Sequence, residues 1–295
     1  MEKDNYRYNY SFIIPHHNSL KELLRCIDSI PVRNDIEIIV VDDNSDISEK
    51  PKALRPDVKI IYLDADQSKG AGRARNFGLD NAQGKWIVFA DCDDFYEKNF
   101  IQDFDVFLDS SYDIVYFDMY YSIDLKTGKC WDNPYSGFLN DFLNNQKSQY
   151  AINSVKYSRT EPWHQFYSHT FLKSIDVHFH EVPSCNDAWF TQFSASQTNN
   201  IYAINKKLYY WVRNSNSLTN KKHTLSFFKL KEHELSIIKH LKAKENAWNT
   251  MAPFWQGLGR IAKNNGLKLA FQILFLRLRN GNIEWKIVWH RFFKK

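Results

Sequence analysis

No stretch of this chain approaches the roughly 20 consecutive apolar residues that a membrane-spanning helix needs. The best candidate, Leu267 to Phe275, is interrupted by Lys268 and Gln272 and runs into Arg277 and Arg279. The N-terminus carries no basic segment followed by a long apolar run; it is charged and rich in tyrosine, unlike a secretory leader. Cysteine is scarce, at positions 26, 92, 130 and 185, with no C-x-x-C pair, and the expectation is a cytosolic protein with reduced thiols. Internal repeats and low-complexity linkers are also missing. What remains is ordinary for a folded globular chain, with 43% apolar and 25% charged residues, and this composition argues against disorder. Aromatics are abundant (22 Phe, 16 Tyr, 9 Trp), which suits both core packing and ligands that present rings.

Charge is unevenly distributed. Between Arg260 and Lys295 nine Lys/Arg face the single acid Glu284, a local +8, which leaves the first 259 residues at −3 of the overall +5. Basicity therefore belongs to the tail, and no nucleic-acid recognition motif accompanies it, so nucleic acid is not expected as a partner.

The first hundred residues alternate between two periods. "YSFIIP" (10 to 15), "IEIIVVDD" (36 to 43), "VKIIYLD" (58 to 64) and "KWIVFAD" (85 to 91) are short, β-branched apolar runs. Between the first two lies "NSLKELLRCIDSI", with Leu20, Leu23, Leu24 and Ile27 at helical spacing, and "GAGRARNFGLDNAQG" (70 to 84) supplies a second helix. Near-continuous apolar strands alternating with helices predict an α/β fold, with a mostly parallel central sheet covered on both faces. A strand over 113 to 119, helices near 168 to 174 and 186 to 196, and strand-like "NIYAI" and "KLYYWVR" follow. Residues 120 to 155 are polar and weakly periodic, and the pattern from Leu225 onward is helical.

Two predicted strands end in acids: Asp42, Asp43 and Asp46 after the second, and Asp91, Asp93 and Asp94 after the fourth. In open α/β sheets the ligand crevice lies beyond the carboxyl ends of the parallel strands, so both clusters point to one place. Carboxylates this close repel unless a cation neutralises them, and hard oxygen donors suit Mg²⁺ or Mn²⁺ bridging to phosphate. Strand termination and helix capping would also use Asp and Asn, but that explanation weakens when two clusters stand at matching strand ends.

The ordered series "FIIPHHN", "IIVVDDNSD", "GAGRARNFG", "WIVFADCDDF" and "CNDAWF" resembles the family 2 glycosyltransferases of the GT-A fold, inverting enzymes that use nucleotide-sugar donors. The likeness covers residues 10 to about 220 and implies a GT-A catalytic domain over 1–222, with a nucleotide-sugar half (about 1–120) and an acceptor half (about 121–222). A basic helical region over 223–295 would follow. By the resemblance, Asp43 accepts a hydrogen bond from the base of a nucleoside diphosphate, with Pro15 and His17 lining that base; many relatives have Tyr where His17 stands. Asp93, with support from Asp91, would hold Mn²⁺ or Mg²⁺ against the diphosphate, while Asp94 serves as support or cap. Asp187, following Asn186 where the family usually has Glu, would be the catalytic base. Arg213 and Ser217, in "YYWVRNSNSLTN", would close over the diphosphate.

Other motifs compete less well. "GAGRARN" imitates a dinucleotide-binding G-x-G loop, but Arg75 occupies the third glycine position and "DADQSK" separates the preceding strand from Gly70. Arg73 and Arg75 fit better beside an anionic donor at a helix start, or, for Arg75, packed against Asp43 or Asp91. "HFHE" (178 to 181) lacks a third metal partner and suits a surface or an acceptor groove, and Trp163 and His164 are candidates for stacking on an acceptor sugar.

Two functional classes follow. The leading one is a glycosyltransferase of cell-surface polysaccharide synthesis, moving a hexose or N-acetylhexosamine from a UDP-sugar to a glycan or lipid-linked acceptor. The other is a catalytically silent sugar-nucleotide-binding or assembly subunit. In the tail, Trp285, Val288, Trp289 and Phe292 form an i, i+3, i+4, i+7 stripe suited to an anionic membrane surface, so peripheral contact with the inner face of the cell membrane is expected. Leu267 to Leu278 reads as a helix packed on the catalytic domain.

Overall fold

The computed structural model describes residues 6–52, 54–68, 70–133, 135–182, 186–212, 224–251, 255–279 and 286–287. In its first half, strands β1 (Tyr8–His16), β2 (Ile36–Asp42), β3 (Val58–Tyr62) and β4 (Gly84–Phe89) are interleaved with α1 (Leu20–Ser29) and α2 (Ala71–Asp80). The short β5 (Phe95–Tyr96), α3 (Phe100–Asp105) and the long β6 (Ile114–Ile123) come next. After them stand β7 (Cys130–Asp132), α4 (Ser136–Asn144), α5 (Gln149–Tyr157), β8 (Gln165–Ser168), α6 (His169–Ile175), α7 (Asn186–Ser196) and β9 (Ile201–Val212). Three helices, α8 (Leu225–Lys244), α9 (Leu258–Asn265) and α10 (Leu267–Arg279), complete the described elements.

The strands form one sheet in the order β3-β2-β1-β4-β8-β6-β9-β5, with β7 on β6. The expected parallel sheet is β3-β2-β1-β4. Beyond β4 the pairing becomes mixed: β8 joins β4 and β6 antiparallel, β9 runs parallel to β6, and β5 pairs antiparallel with β9. "NIYAI" and "KLYYWVR" are one strand, whose pairing with β6 shifts register between Phe117 and Asp118 and again beyond.

Alternation along β1 explains its continuous apolar run. Phe12 and Ile14 enter a cluster with Leu23, Ile27, Phe100 and Phe104, whereas Ile13 enters the opposite one with Phe89, Phe179 and Phe190. Both faces are therefore dry, and each large side chain buried there contributes about 1.5–3 kcal/mol. In α1 the buried stripe is Leu23, Cys26 and Ile27, and Leu24 faces solvent.

Two of the sequence expectations are corrected. Trp163 and His164 are buried in a 3₁₀ turn, with the Trp163 ring stacked on Tyr209 at 4.9 Å, so they are core and do not face an acceptor. Residues 120 to 155 contain two helices, whose anchors are Leu139 and Phe142 in α4 and Ala151 and Val155 in α5. Among the described residues no helix is long and apolar enough to cross a membrane.

Candidate active site

The carboxyl ends of β1, β2 and β4 open into a crevice of 780 Å³ that Pro15, His17, Asp43, Arg75, Asp91, Asp93 and Asp187 all line. Arg213 and Ser217 lie outside the described residues.

Asp43 follows β2 directly and is 7% exposed. Its Oδ2 accepts the Gly70 N–H at 2.9 Å, while its Oδ1 is buried with no protein partner. A buried carboxylate oxygen left unpaired is costly, so it marks a place where a ligand donor fits. Gly70 has φ of 88°, a left-handed conformation that aims its N–H back at Asp43 while α2 begins at the next residue. His17 donates from Nδ1 to the Asp43 carbonyl at 2.9 Å, which sets its exposed ring beside this carboxylate. Beneath them His16 and Asp42 form a fully buried pair at 2.8 Å. That pair fixes the strand ends, and the sequence reading did not anticipate it.

After β4 the chain turns through Asp91, Cys92, Asp93 and Asp94. Asp91, Asp93 and Asp94 each present an oxygen within 4.8 Å of the others. Asp94 is fully buried; it accepts the Val212 N–H at 2.7 Å through Oδ1, and its Oδ2 has no protein partner. Burial first, and the neighbouring carboxylates second, raise the Asp93 pKa to about 6 and push Asp94 well above the ordinary range. A divalent cation removes that repulsion, so the donor set fits Mn²⁺ or Mg²⁺, with Asp93 and Asp91 at the crevice wall and Asp94 underneath. Arg25 supports the turn by donating to the Asp93 carbonyl.

Arg75 joins this cluster to the other side of the crevice. Its side chain, 6% exposed, donates to Asp91 Oδ1 at 2.6 Å and to Asn186 Oδ1 at 3.2 Å. Asn186, standing where an acid was expected, is the acceptor that receives this guanidinium, and it also donates to the Val182 carbonyl at 3.2 Å. Asp187 follows in the first turn of α7. Burial raises its pKa to about 6 against the opposing pull of Arg75. A carboxylate poised there can take a proton near neutral pH. The approach of α2 to α7 depends on Gly72, where a Cβ would stand 2.5 Å from the His180 carbonyl oxygen and 3.0 Å from Asn186 Cβ.

The two histidines of "HFHE" engage different acids. His178 pairs with Asp80 at 3.2 Å, whereas His180 pairs with Glu234 of α8 at 2.6 Å and stacks on Trp189 at 4.7 Å. Arg73 pairs with Glu181. The outer wall of the crevice went unforeseen: Phe228, Lys231 and Glu232 of α8, Arg260 of α9 and Arg277 of α10 line it. Arg277 grips Glu232 with two bonds, at 2.8 and 2.7 Å, and donates a third to the Gln256 carbonyl. No period within one segment reveals a wall assembled from three helices.

Among known proteins, the model of the family described as Glycosyl transferase family 2 matches residues 11–169. The poly(ribitol-phosphate) beta-N-acetylglucosaminyltransferase TarS of Staphylococcus aureus is 28% identical over 217 residues, 69% of this chain and 35% of that protein. The minor teichoic acid biosynthesis protein GgaB of Bacillus subtilis is 27% identical across 98% of this chain and 30% of its own length. The chain thus spans about a third of the length of these relatives. The crystal structure of S. aureus TarS 1–349 in complex with UDP-GlcNAc shares the fold, with a TM-score of 0.61 at 18% identity over 96% of this chain and 91% of that one.

Proposed function

The chain belongs to glycosyl transferase family 2, and on that premise we propose that it is an inverting, metal-dependent hexosyltransferase. It moves a hexose or N-acetylhexosamine from a UDP-linked donor to a hydroxyl of a glycan or lipid-linked acceptor, in the synthesis of a cell-surface polysaccharide. The observation that carries this reading is the convergence, in one 780 Å³ crevice, of the Asp43 site, the Asp91–Asp93 carboxylates and Asp187. A silent binding subunit would need the first two and has no use for a half-buried carboxylate with a pKa near 6 facing them. Uridine and N-acetylglucosamine are suggested by the ligand of the fold neighbour TarS, and a cell-surface glycan by the names of TarS and GgaB. Free Cys26, Cys92 and Cys130 suit a cytosolic setting, where nucleotide sugars would reach it.

Each residue then has a role. Asp43 Oδ1 accepts the imino N–H of the base, with Pro15 and the His17 ring against its face. Asp91 and Asp93 hold Mn²⁺ or Mg²⁺, which when bound neutralises charge developing on the leaving diphosphate. Arg75 keeps Asp91 in place and supplies positive charge beside it. Asp187 takes the acceptor hydroxyl proton while the acceptor oxygen bonds to C1 and the bond from C1 to the diphosphate oxygen breaks. One base and one displacement invert the anomeric centre. Arg213 and Ser217 are assigned to closure over the diphosphate, which excludes water from the reacting sugar. Incubation with a panel of UDP-sugars and Mn²⁺, scored by UDP release, tests the reading; one donor should be turned over well above the rest, and release from none of them contradicts it.

A further inference from the structure

Helix α10 packs on the protein through Ala270, Ile273 and Arg277, which are buried. Its apolar residues do not all follow. Leu267, Phe271, Phe275 and Leu278 are 69, 66, 64 and 36% exposed. Their spacing of four, four and three places them within roughly 80° of one another around the helix axis. Lys268, Gln272 and Arg279, all exposed, occupy the adjoining sector. The packing expected of Leu267 to Leu278 is therefore partial: Ala270, Ile273 and Arg277 are buried, but the helix leaves a continuous apolar stripe in solvent, which a soluble surface rarely tolerates without a partner.

The surrounding charge selects among partners. Residues 255 to 279 contain no Asp or Glu and five bases, at 260, 263, 268, 277 and 279. Arg277 is engaged with Glu232, whereas Arg260, Lys263, Lys268 and Arg279 are exposed and have no carboxylate partner among the described residues. A second copy of this chain would bring two such basic fields together, and like charges in contact oppose docking. An anionic lipid surface satisfies both features, because it buries the phenylalanines and leucines at the acyl boundary and attracts the bases at the headgroups.

We propose that the Leu267–Phe271–Phe275–Leu278 face of α10, with its flanking bases, is the contact of this protein with an anionic membrane. The same helix lends Arg277 to the wall of the crevice. Membrane contact through α10 therefore sets that wall beside the lipid surface, where the hydroxyl of a lipid-linked acceptor would arrive. The part concerning the acceptor rests on the function proposed above; the contact itself is measured without turnover.

Cosedimentation of the full chain with vesicles of phosphatidylcholine, alone or mixed with phosphatidylglycerol, tests this directly. The protein should pellet with the mixed vesicles, less at high salt, and not with phosphatidylcholine alone. Phe271→Ser with Phe275→Ser should weaken partitioning at least about tenfold, because both rings leave the acyl boundary. Lys268→Glu with Arg279→Glu should abolish the preference for anionic vesicles. Both pairs change exposed side chains, so circular dichroism and UDP binding should match the unaltered protein. Equal binding to neutral vesicles, unchanged partitioning of the Phe pair, or no partitioning at all would each overturn the proposal. A dimer in light scattering that the Phe pair dissolves, with no vesicle binding, would overturn it in favour of a second copy. Loss of UDP binding throughout, with vesicle behaviour as expected, would count against the glycosyl-transfer reading alone.

Discussion

Arg75 donates to Asp91 at 2.6 Å from a side chain that is almost entirely buried, and its other nitrogen reaches Asn186, the residue before the proposed base. One guanidinium thus spans the proposed donor side and the proposed acceptor side of the crevice. Its planar fork satisfies two acceptors in fixed directions, which an ammonium cannot do.

Arg75→Lys should therefore leave the fold intact and reduce kcat by about 10–100-fold, the scale expected when reacting groups lose their relative placement. Steady-state UDP release set beside a thermal melt checks it. A fall in melting temperature with kcat preserved would make Arg75 a purely structural residue.

Asp187→Asn keeps shape and hydrogen bonding but cannot accept a proton, so kcat should drop by about 10²–10⁴-fold with UDP affinity unchanged. The pKa of Asp187 is raised to about 6 by burial, so kcat/KM should be lost as pH falls through that value, and the residual rate of the Asn variant should lack this limb. Stability moves the other way. A carboxyl with a raised folded pKa holds its proton more tightly in the native state, so its contribution is full below the unfolded value near 3.8 and is lost as pH rises through about 6. The Asn variant should flatten that part of the profile in a series of melts.

Gly72→Ala places a Cβ 2.5 Å from a backbone carbonyl oxygen that has little room to retreat. Overpacking of this kind costs about 1–3 kcal/mol, and here it also pushes α2 from the start of α7. The melting temperature should fall by several degrees, and kcat should fall more than the lost stability accounts for, because Arg75 and Asn186 separate. An unchanged melt and rate would show that the two helices move apart freely.

The parallel half of the fold was legible because β1, β2 and β4 are dry on both faces and so spell out unbroken apolar runs. The crevice was legible where its candidate residues are local in sequence: Asp43 and Asp91 follow β2 and β4, the two strands that flank β1, and Asp187 lies in the first turn of α7. Contacts between distant segments were not. The four residues of β8 and the sparse anchors of α4 and α5 are too few to set a period. Trp163 is indistinguishable in sequence from a sugar-stacking tryptophan until Tyr209 is found on its face. For α10 the sequence suggested packing but not which side stays in solvent, because that depends on which side of the helix Arg277 ties to Glu232.

The roles proposed for the crevice depend most directly on metal-dependent nucleotide binding at Asp93. Calorimetric titration of UDP into the full chain should show binding with Mn²⁺ that weakens sharply in EDTA. In Asp93→Ala it should weaken to the EDTA level, while the melt is unchanged or improved because a repelling carboxylate has gone. Mn²⁺-dependent UDP binding that survives in Asp93→Ala at the unaltered affinity would contradict the account.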